Sequence, residues 1–282
     1  MTDAAPSPAD LAPGDAKSGS MDWTPFEIHR IRSTRDPLFD IAYQALWDEF
    51  GAAHEMEQRD VLERRFAWDA ARPTDGYALL YEMILVRRRD KGQLAAVRDH
   101  VVIARADPTS PPRAVVFLSH NLVAPEFRRS GLAGWMRAFP VQTARACLAA
   151  AALPADAPIT LVGEMEPLTP DGPTGVLVRL KAYEKAGFRK VGRIAYEQPD
   201  FRSPAAIDAT GGPRPLPMNL LVRRVGREHE TTITGGEVRD VVELLYHMYA
   251  RAFRARDMAG SYERLAAYPP RDAEVPLVLP TG

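Results

Sequence analysis

The chain has 282 residues, 46% of them apolar and 26% charged, and a formal net charge of −1. That is enough apolar material for a buried core, and a charge this close to zero gives no overall field favouring nucleic acid or an anionic membrane. Its one cysteine, Cys147, excludes an internal disulfide and a multi-cysteine zinc site, and among alanines on an expected helix it reads as a buried, inert thiol. No run is long and apolar enough to span a bilayer, and the first residues lack the basic start and apolar stretch of a signal peptide, so a cytoplasmic protein is expected.

Residues 1–22 are mostly Ala, Pro, Asp, Ser and Gly, and between Met1 and Met21 Leu11 is the only large apolar side chain. Such a composition cannot bury enough surface to order itself, so a disordered tail is expected. A first strand is expected at 26–32. Two helices follow: one opened by Pro37, with Leu38, Ile41, Leu46 and Phe50 at helical spacing, and one at 59–70. Strands are expected at 77–87, at 93–106 with an interruption at Asp99, and at 113–123. The tip between the first two, Arg87 to Gly92, reads as a solvated hairpin turn. A helix at 132–152 ends before Pro154 and Pro158, and a strand covers 159–165. Residues 167–175 read as a rigid Pro/Gly loop, followed by a helix to 186 that Gly187 terminates. Strands at 189–197 and 218–225 flank a long loop, 199–217. Beyond 226, residues 236–253 carry Val238, Val241, Val242, Leu245, Met248, Tyr249 and Phe253 on one face. That face needs a partner surface, either the rest of the chain or a second copy in a homodimer. Gly235 and Gly236 read as a flexible pair before it. From these patterns alone the fold is mixed α+β or α/β, with helices on a partly antiparallel sheet.

One stretch carries chemistry. Between Leu122 and Ala133 an apolar strand runs through Val123 and Pro125 into a turn made of Arg128, Arg129, Ser130 and Gly131, and a helix begins there with Leu132 and Ala133. A strand feeding a glycine turn onto a helix N-terminus directs free backbone N–H groups and the positive end of the helix dipole at one spot. Small residues let a phosphate approach the backbone, and the two arginines add charge-assisted donors. The bland alternative is an ordinary helix start with a surface arginine pair. Further on, Tyr183-Glu184-Lys185-Ala186-Gly187-Phe188 closes a helix and starts a strand.

Together these two motifs resemble those of the GNAT superfamily of acyl-CoA-dependent N-acyltransferases. Val123, Pro125, Arg128, Gly131 and Ala133 match its main motif, and Tyr183 to Phe188 match its later one. The resemblance implies a GNAT-like mixed, mostly antiparallel sheet flanked by helices over residues 23–226, with a C-terminal helical extension over 227–282. It implies acetyl-CoA as co-substrate, no metal, and transfer of an acetyl or other short acyl group to a small-molecule or peptide amine by direct attack on the thioester. Leu122, Val123, Arg128, Arg129, Ser130, Gly131, Leu132 and Ala133 are then the CoA-binding residues, with the Val123 N–H facing the thioester or pantetheine arm.

An alkylammonium must lose a proton before it attacks, and near neutral pH this costs roughly 4–5 kcal/mol. A carboxylate commonly assists. Glu164 and Glu166, two apart on one strand face, are the candidates, Glu164 first. The alternative is two solvated acids, one of them paired with Arg179 or Lys181. His120 is the other candidate base. It lies on the strand before Val123 but alternates with it, so it is expected to face the opposite side, as a core histidine or one supporting the site from behind. Tyr183 is placed by the resemblance near the CoA sulfur as the acid, with packing on the sheet as the alternative. The stretch from Tyr196 to Pro199 borders the expected acceptor pocket, or is surface loop. Trp135, Met136 and Phe139 read as helix core, or as the lining of a tunnel for longer acyl chains. The remaining alternative is a non-catalytic acyl-CoA-binding sensor or scaffold.

Overall fold

The hairpin read from the sequence at residues 77–106 forms the centre of the first part of the molecule. The computed structural model describes residues 7–52, 55–169 and 174–282. The chain forms two compact units, Met1–Ile159 and Thr160–Gly282, each mixed α+β.

In the first unit, β1 (Phe26–Ile31), β2 (Tyr77–Arg88), β3 (Leu94–Arg105) and β4 (Arg113–Val123) pair antiparallel in that order. Gly92, at φ +61, turns the β2–β3 hairpin. Alternation along the strands gives the sheet two buried faces. Ile28, Ile84, Val86 and Ala96 meet Trp135, Met136 and Phe139 of helix α3 (Leu132–Ala150) on one face. These three side chains are core, and the acyl-tunnel reading of them falls away. On the other face Tyr81 meets Phe66, which caps α2 (Arg59–Arg65), and Phe66 packs edge-on to Phe39 of α1 (Phe39–Phe50). β3 runs unbroken through Asp99, with an irregularity against β4 between Asp99 and Val101. Asp99 does not interrupt the strand because its carboxylate is satisfied inside, as described below.

Residues 8–20, expected to be disordered, form two short 3₁₀ segments on α3. Their order comes from polar contacts that composition does not reveal. Asp15 takes both nitrogens of the Arg137 fork at 2.7 and 2.9 Å, Asp10 pairs with Arg145 and accepts from Gln142, and the Trp135 indole donates to the Ser18 carbonyl at 2.7 Å.

The second unit contains β5 (Ile159–Met165, from Thr160 on), α4 (Thr174–Lys185), β6 (Arg189–Val191), β7 (Tyr196–Gln198), α5 (Pro204–Ala209), β8 (Leu216–Arg224), β9 (Thr232–Thr234), α6 (Gly235–Ala250), α7 (Ala255–Ala266) and β10 (Glu274–Val278). Its strands run in the order β5, β8, β6, β10, β9, and β7 pairs with the start of β8. The single strand expected at 189–197 is two, broken at Gly192 and Arg193, where Arg193 takes φ +57. The expected 199–217 loop contains a helix: Ser203 caps it by accepting from the Ala206 amide, and Pro204 opens it. Part of the expected 167–175 loop, residues 170–173, lies outside the described residues, as do residues 1–6 of the expected tail.

Residues 227–282 contribute two strands and a second helix besides the one expected. Thr234 and Glu237 begin α6 as half of a capping box, the hydroxyl accepting from the Glu237 amide at 3.1 Å. Its apolar face is buried: Val238, Val241, Val242, Leu245, Met248 and Tyr249 are all nearly inaccessible. Gly235 is no flexible hinge. A Cβ there would lie 2.1 Å from the Pro270 carbonyl oxygen, so glycine is required by the close approach of another backbone.

Candidate functional site

The eight residues of the expected CoA loop belong to the first unit, and Glu164 and Tyr183 to the second. In the loop, Arg129 sits at φ +66 and Gly131 at φ +95, a left-handed turn that delivers the chain onto α3. The Ser130 hydroxyl donates to the Phe127 carbonyl at 2.7 Å and accepts from the Leu132 amide at 3.3 Å. The Arg128 guanidinium donates back to the Val123 carbonyl at 3.3 Å. The Arg129, Gly131 and Ala133 amides find no acceptor among the described residues. Unpaired N–H groups at the positive end of a 19-residue helix are the components of an anion site. Both arginines are largely exposed beside them.

Within that loop the residues differ in what they can offer. Leu132 is fully buried and its amide is taken by Ser130, so it is a packing residue. Leu122 and Val123 are half-buried, and Val123 packs on the α3 core. Gly131 is bounded on its Cβ side by Ser18, at 3.4 Å from a built Cβ, so the N-terminal segment rather than open solvent covers that side.

In the second unit Glu164 is the centre of a polar cluster. β7 alternates so that Tyr196 and Gln198 share a face, and both reach the Glu164 carboxylate: the Tyr196 hydroxyl donates to Oε1 and the Gln198 amide to Oε2 at 2.6 Å. Tyr249 of α6 donates to Oε2 at 3.0 Å. Burial, then the charge of Glu164, pushes the Tyr196 phenol well above its ordinary value, so it stays a donor. Tyr246 stacks on Tyr196 with ring centroids 6.0 Å apart. Glu166 instead pairs with Arg179 at 2.7 Å on the surface, the solvated-acid alternative.

Tyr183 lies over Gly163. A Cβ at that glycine would touch the tyrosine ring at 3.8 Å, and the ring packs edge-on to Phe188 at 4.9 Å. Its hydroxyl has no hydrogen-bond partner among the described residues. Because Gly163 and Glu164 are successive in β5, Tyr183 and the Glu164 carboxylate stand on opposite faces of the strand.

His120 is held as a cation. Nδ1 lies 2.8 Å from Asp99 Oδ1 and Nε2 lies 2.9 Å from the Glu55 carbonyl, so both nitrogens face acceptors and both donate. Burial opposes the charge, but Asp99 outweighs it and the imidazole is raised to about 9. Tyr81 also donates to Asp99, at 3.1 Å, and the buried Arg65–Glu57 pair adds to the same network. A protonated, doubly engaged imidazole cannot serve as base. Cys147 is fully buried, which pushes its thiol up to about 12.

Among the described residues no group of three or more His, Cys, Asp or Glu is arranged to hold a metal, and no helix is long and apolar enough to cross a membrane.

Sequence reasoning singled out Glu164 and, separately, the stretch from Tyr196 to Pro199, but did not link the two or find Tyr249. The Tyr-x-Gln spacing of Tyr196 and Gln198 was the available signal for two of the three donors. Tyr249 was indistinguishable from the other apolar-face residues of its helix.

No protein-family model matches the chain, and no curated protein matches it. Solved structures do. The fold is similar to that of GCN5-related N-acetyltransferases. A glucosamine N-acetyltransferase region of a fungal multi-domain β-N-acetylglucosaminidase is similar over 65% of this chain and 20% of that one, at 16% identity and a TM-score of 0.37. A tandem GNAT protein from the clavulanic acid biosynthesis pathway is similar over 64% and 50%, at 19% identity and 0.34. A GCN5-related N-acetyltransferase from Sphaerobacter thermophilus is similar over 66% and 56%, at 17% identity and 0.33. The chain thus matches between a fifth and just over half of these chains. At these identities and TM-scores none of the three carries an argument about this chain, whose function has to be argued from its own side chains.

Proposed function

We propose that the protein transfers an acetyl or other short acyl group from the thioester of acyl-CoA to an amine. The observation that carries this reading is the trio of unpaired amides, Arg129, Gly131 and Ala133, at the start of α3 beside two exposed arginines. These groups fit the pyrophosphate of CoA: the amides supply donors, the helix dipole and Arg128 and Arg129 supply positive potential. CoA supplies the activated acyl group, and this chain's residues supply the rest.

Glu164 accepts a proton from the incoming ammonium, directly or through water, which leaves the neutral amine as nucleophile. The new C–N bond forms as the C–S bond breaks. The leaving thiolate takes a proton from the Tyr183 hydroxyl, which has no hydrogen-bond partner among the described residues and approaches from the opposite face of β5 to Glu164. The second proton lost by the nitrogen passes to solvent, which returns one to the phenolate. Tyr196, Gln198 and Tyr249 hold the Glu164 carboxylate in one orientation, so little reorganisation accompanies proton transfer.

Release of free thiol from acetyl-CoA in the presence of a panel of primary amines tests the reading. Amine-dependent release is the expected result. Thermal stabilisation by CoA without any thiol release would make the protein a sensor or scaffold. Absence of both thiol release and stabilisation by CoA would overturn the reading altogether.

A further inference from the structure

An aromatic shelf stands next to Glu164, separated from it by one tyrosine ring. Tyr249 places its hydroxyl on the carboxylate and its ring against two phenylalanines: the centroid of Phe201 is 5.8 Å away and that of Phe253 is 5.9 Å away. Phe201 and Phe253 stack on each other, 5.6 Å apart and 15° from parallel. Tyr249 itself is buried, but both phenylalanines remain partly open, and so does Glu164. Aromatic area left in water beside a charge forgoes burial energy, which a ligand with an apolar body recovers.

The shelf is built, not incidental. Phe201 sits in a short segment tied at both sides of the ring: Arg202 forms a two-nitrogen ion pair with the buried Asp200, which also accepts the Arg214 amide at 2.8 Å. Phe253 closes the end of α6, its amide bonded to the Tyr249 carbonyl at 2.9 Å. Two rings fixed in this way lose little freedom when a ligand docks.

We propose that this is the acceptor subsite, and that it takes a primary amine carrying an aromatic or similarly bulky apolar group a few bonds from the nitrogen. The ammonium meets the open part of the Glu164 carboxylate, and the apolar body reaches past the buried Tyr249 to the open parts of Phe201 and Phe253. A compact polar amine would satisfy Glu164 and leave the shelf wet. The inference rests on the acyltransferase reading for its term "acceptor" but not for the binding itself.

The test pairs 2-phenylethylamine with 2-methoxyethylamine on the full chain. Binding is read by ligand-observed NMR without CoA, and turnover by thiol release with acetyl-CoA. Phenylethylammonium should bind about tenfold or more tightly, the scale of one well-packed ring contact. Phe201→Ala and Phe253→Ala should each remove most of that preference while leaving the binding of methoxyethylammonium unchanged. Phe201→Leu should retain part of the preference, which separates loss of the shelf from loss of the fold. Equal binding of the two amines, or a preference that survives both alanine variants, overturns the proposal, whether or not thiol is released. Selective binding with no thiol release from any amine leaves the subsite standing and overturns the acyltransferase reading instead.

Discussion

Tyr249, near the end of α6, donates a 3.0 Å hydrogen bond to Glu164 of β5, 85 residues earlier in the chain. A residue read from sequence as one more apolar-face side chain therefore orients the carboxylate proposed to take the substrate's proton. Removing the hydroxyl deletes one hydrogen bond to a charged group, a change of about 1.5–3 kcal/mol. Tyr249→Phe should lower turnover about tenfold or more, with little effect on stabilisation by CoA. Parental turnover in this variant would mean that the hydroxyl does not matter to the chemistry.

Tyr183→Phe offers the opposite balance. Its hydroxyl bonds to nothing among the described residues, while its ring packs on Phe188 and against Gly163. The variant should melt within about 1 °C of the parent, because no internal bond is lost and surface changes of this kind fall within about 0.5 kcal/mol. Turnover should nevertheless fall, and the loss should be greatest for thioesters whose thiols leave poorly. Unchanged turnover would make Tyr183 a packing residue.

At the loop, Gly131→Ala and Gly131→Glu share one cost and differ in another. Both place a Cβ at φ +95 and close to Ser18, with a left-handed penalty of about 1–2 kcal/mol. Only the glutamate adds a negative charge beside the unpaired amides. CoA should still raise the melting temperature of the alanine variant and should not raise that of the glutamate variant. An equal response in both would remove the loop from cofactor binding.

The His120–Asp99 pair predicts a pH dependence of stability. The histidine is raised from an ordinary 6.5 to about 9 in the folded state, so its contribution is fully present below pH 6.5 and is lost as pH rises through about 9. The full effect is on the order of 3 kcal/mol. Melting temperature should fall between pH 6.5 and 9.5, and His120→Gln should be less stable at pH 6 with a flatter profile above it. A parallel profile in the variant would refute the assignment of a charged imidazole.

Gly235→Ala should destabilise the second unit by about 1–3 kcal/mol, the usual cost of overpacking, because the added methyl group meets the Pro270 carbonyl oxygen. Gly212→Ala is the contrast: it also removes a glycine, and at φ +132 it carries backbone strain, but nothing lies near the new atom. Denaturant unfolding of the pair separates strain from clash, and equal losses would show that the Pro270 approach does not matter.

Strand and helix boundaries were legible where apolar runs ended at proline or glycine. Residues 113–123 and 159–165 are strands as read. Legibility failed where order comes from partners distant in sequence. The N-terminal segment has almost no apolar surface of its own and is held by Asp10, Asp15 and the Ser18 carbonyl against arginines and a tryptophan on α3. The helix at Pro204–Ala209 buries only Ile207, too little to produce a periodic pattern. The Glu164 cluster was half legible: the carboxylate stood out, but its donors come from β7 and α6, and no local spacing links the two elements.

β10 occupies an interior position, between β6 and β9, although it is formed by residues 274–278. During synthesis the second unit therefore cannot close its sheet until these residues leave the ribosome. Until then β6 and β9 each present an unpaired edge, the kind of surface on which partly made chains stick to one another. Long-range pairing of this sort is also slow to form. Translation that stops short of residue 274 should yield insoluble product, and a chaperone that shields strand edges should improve the yield of the full chain more than one that acts on proline isomers.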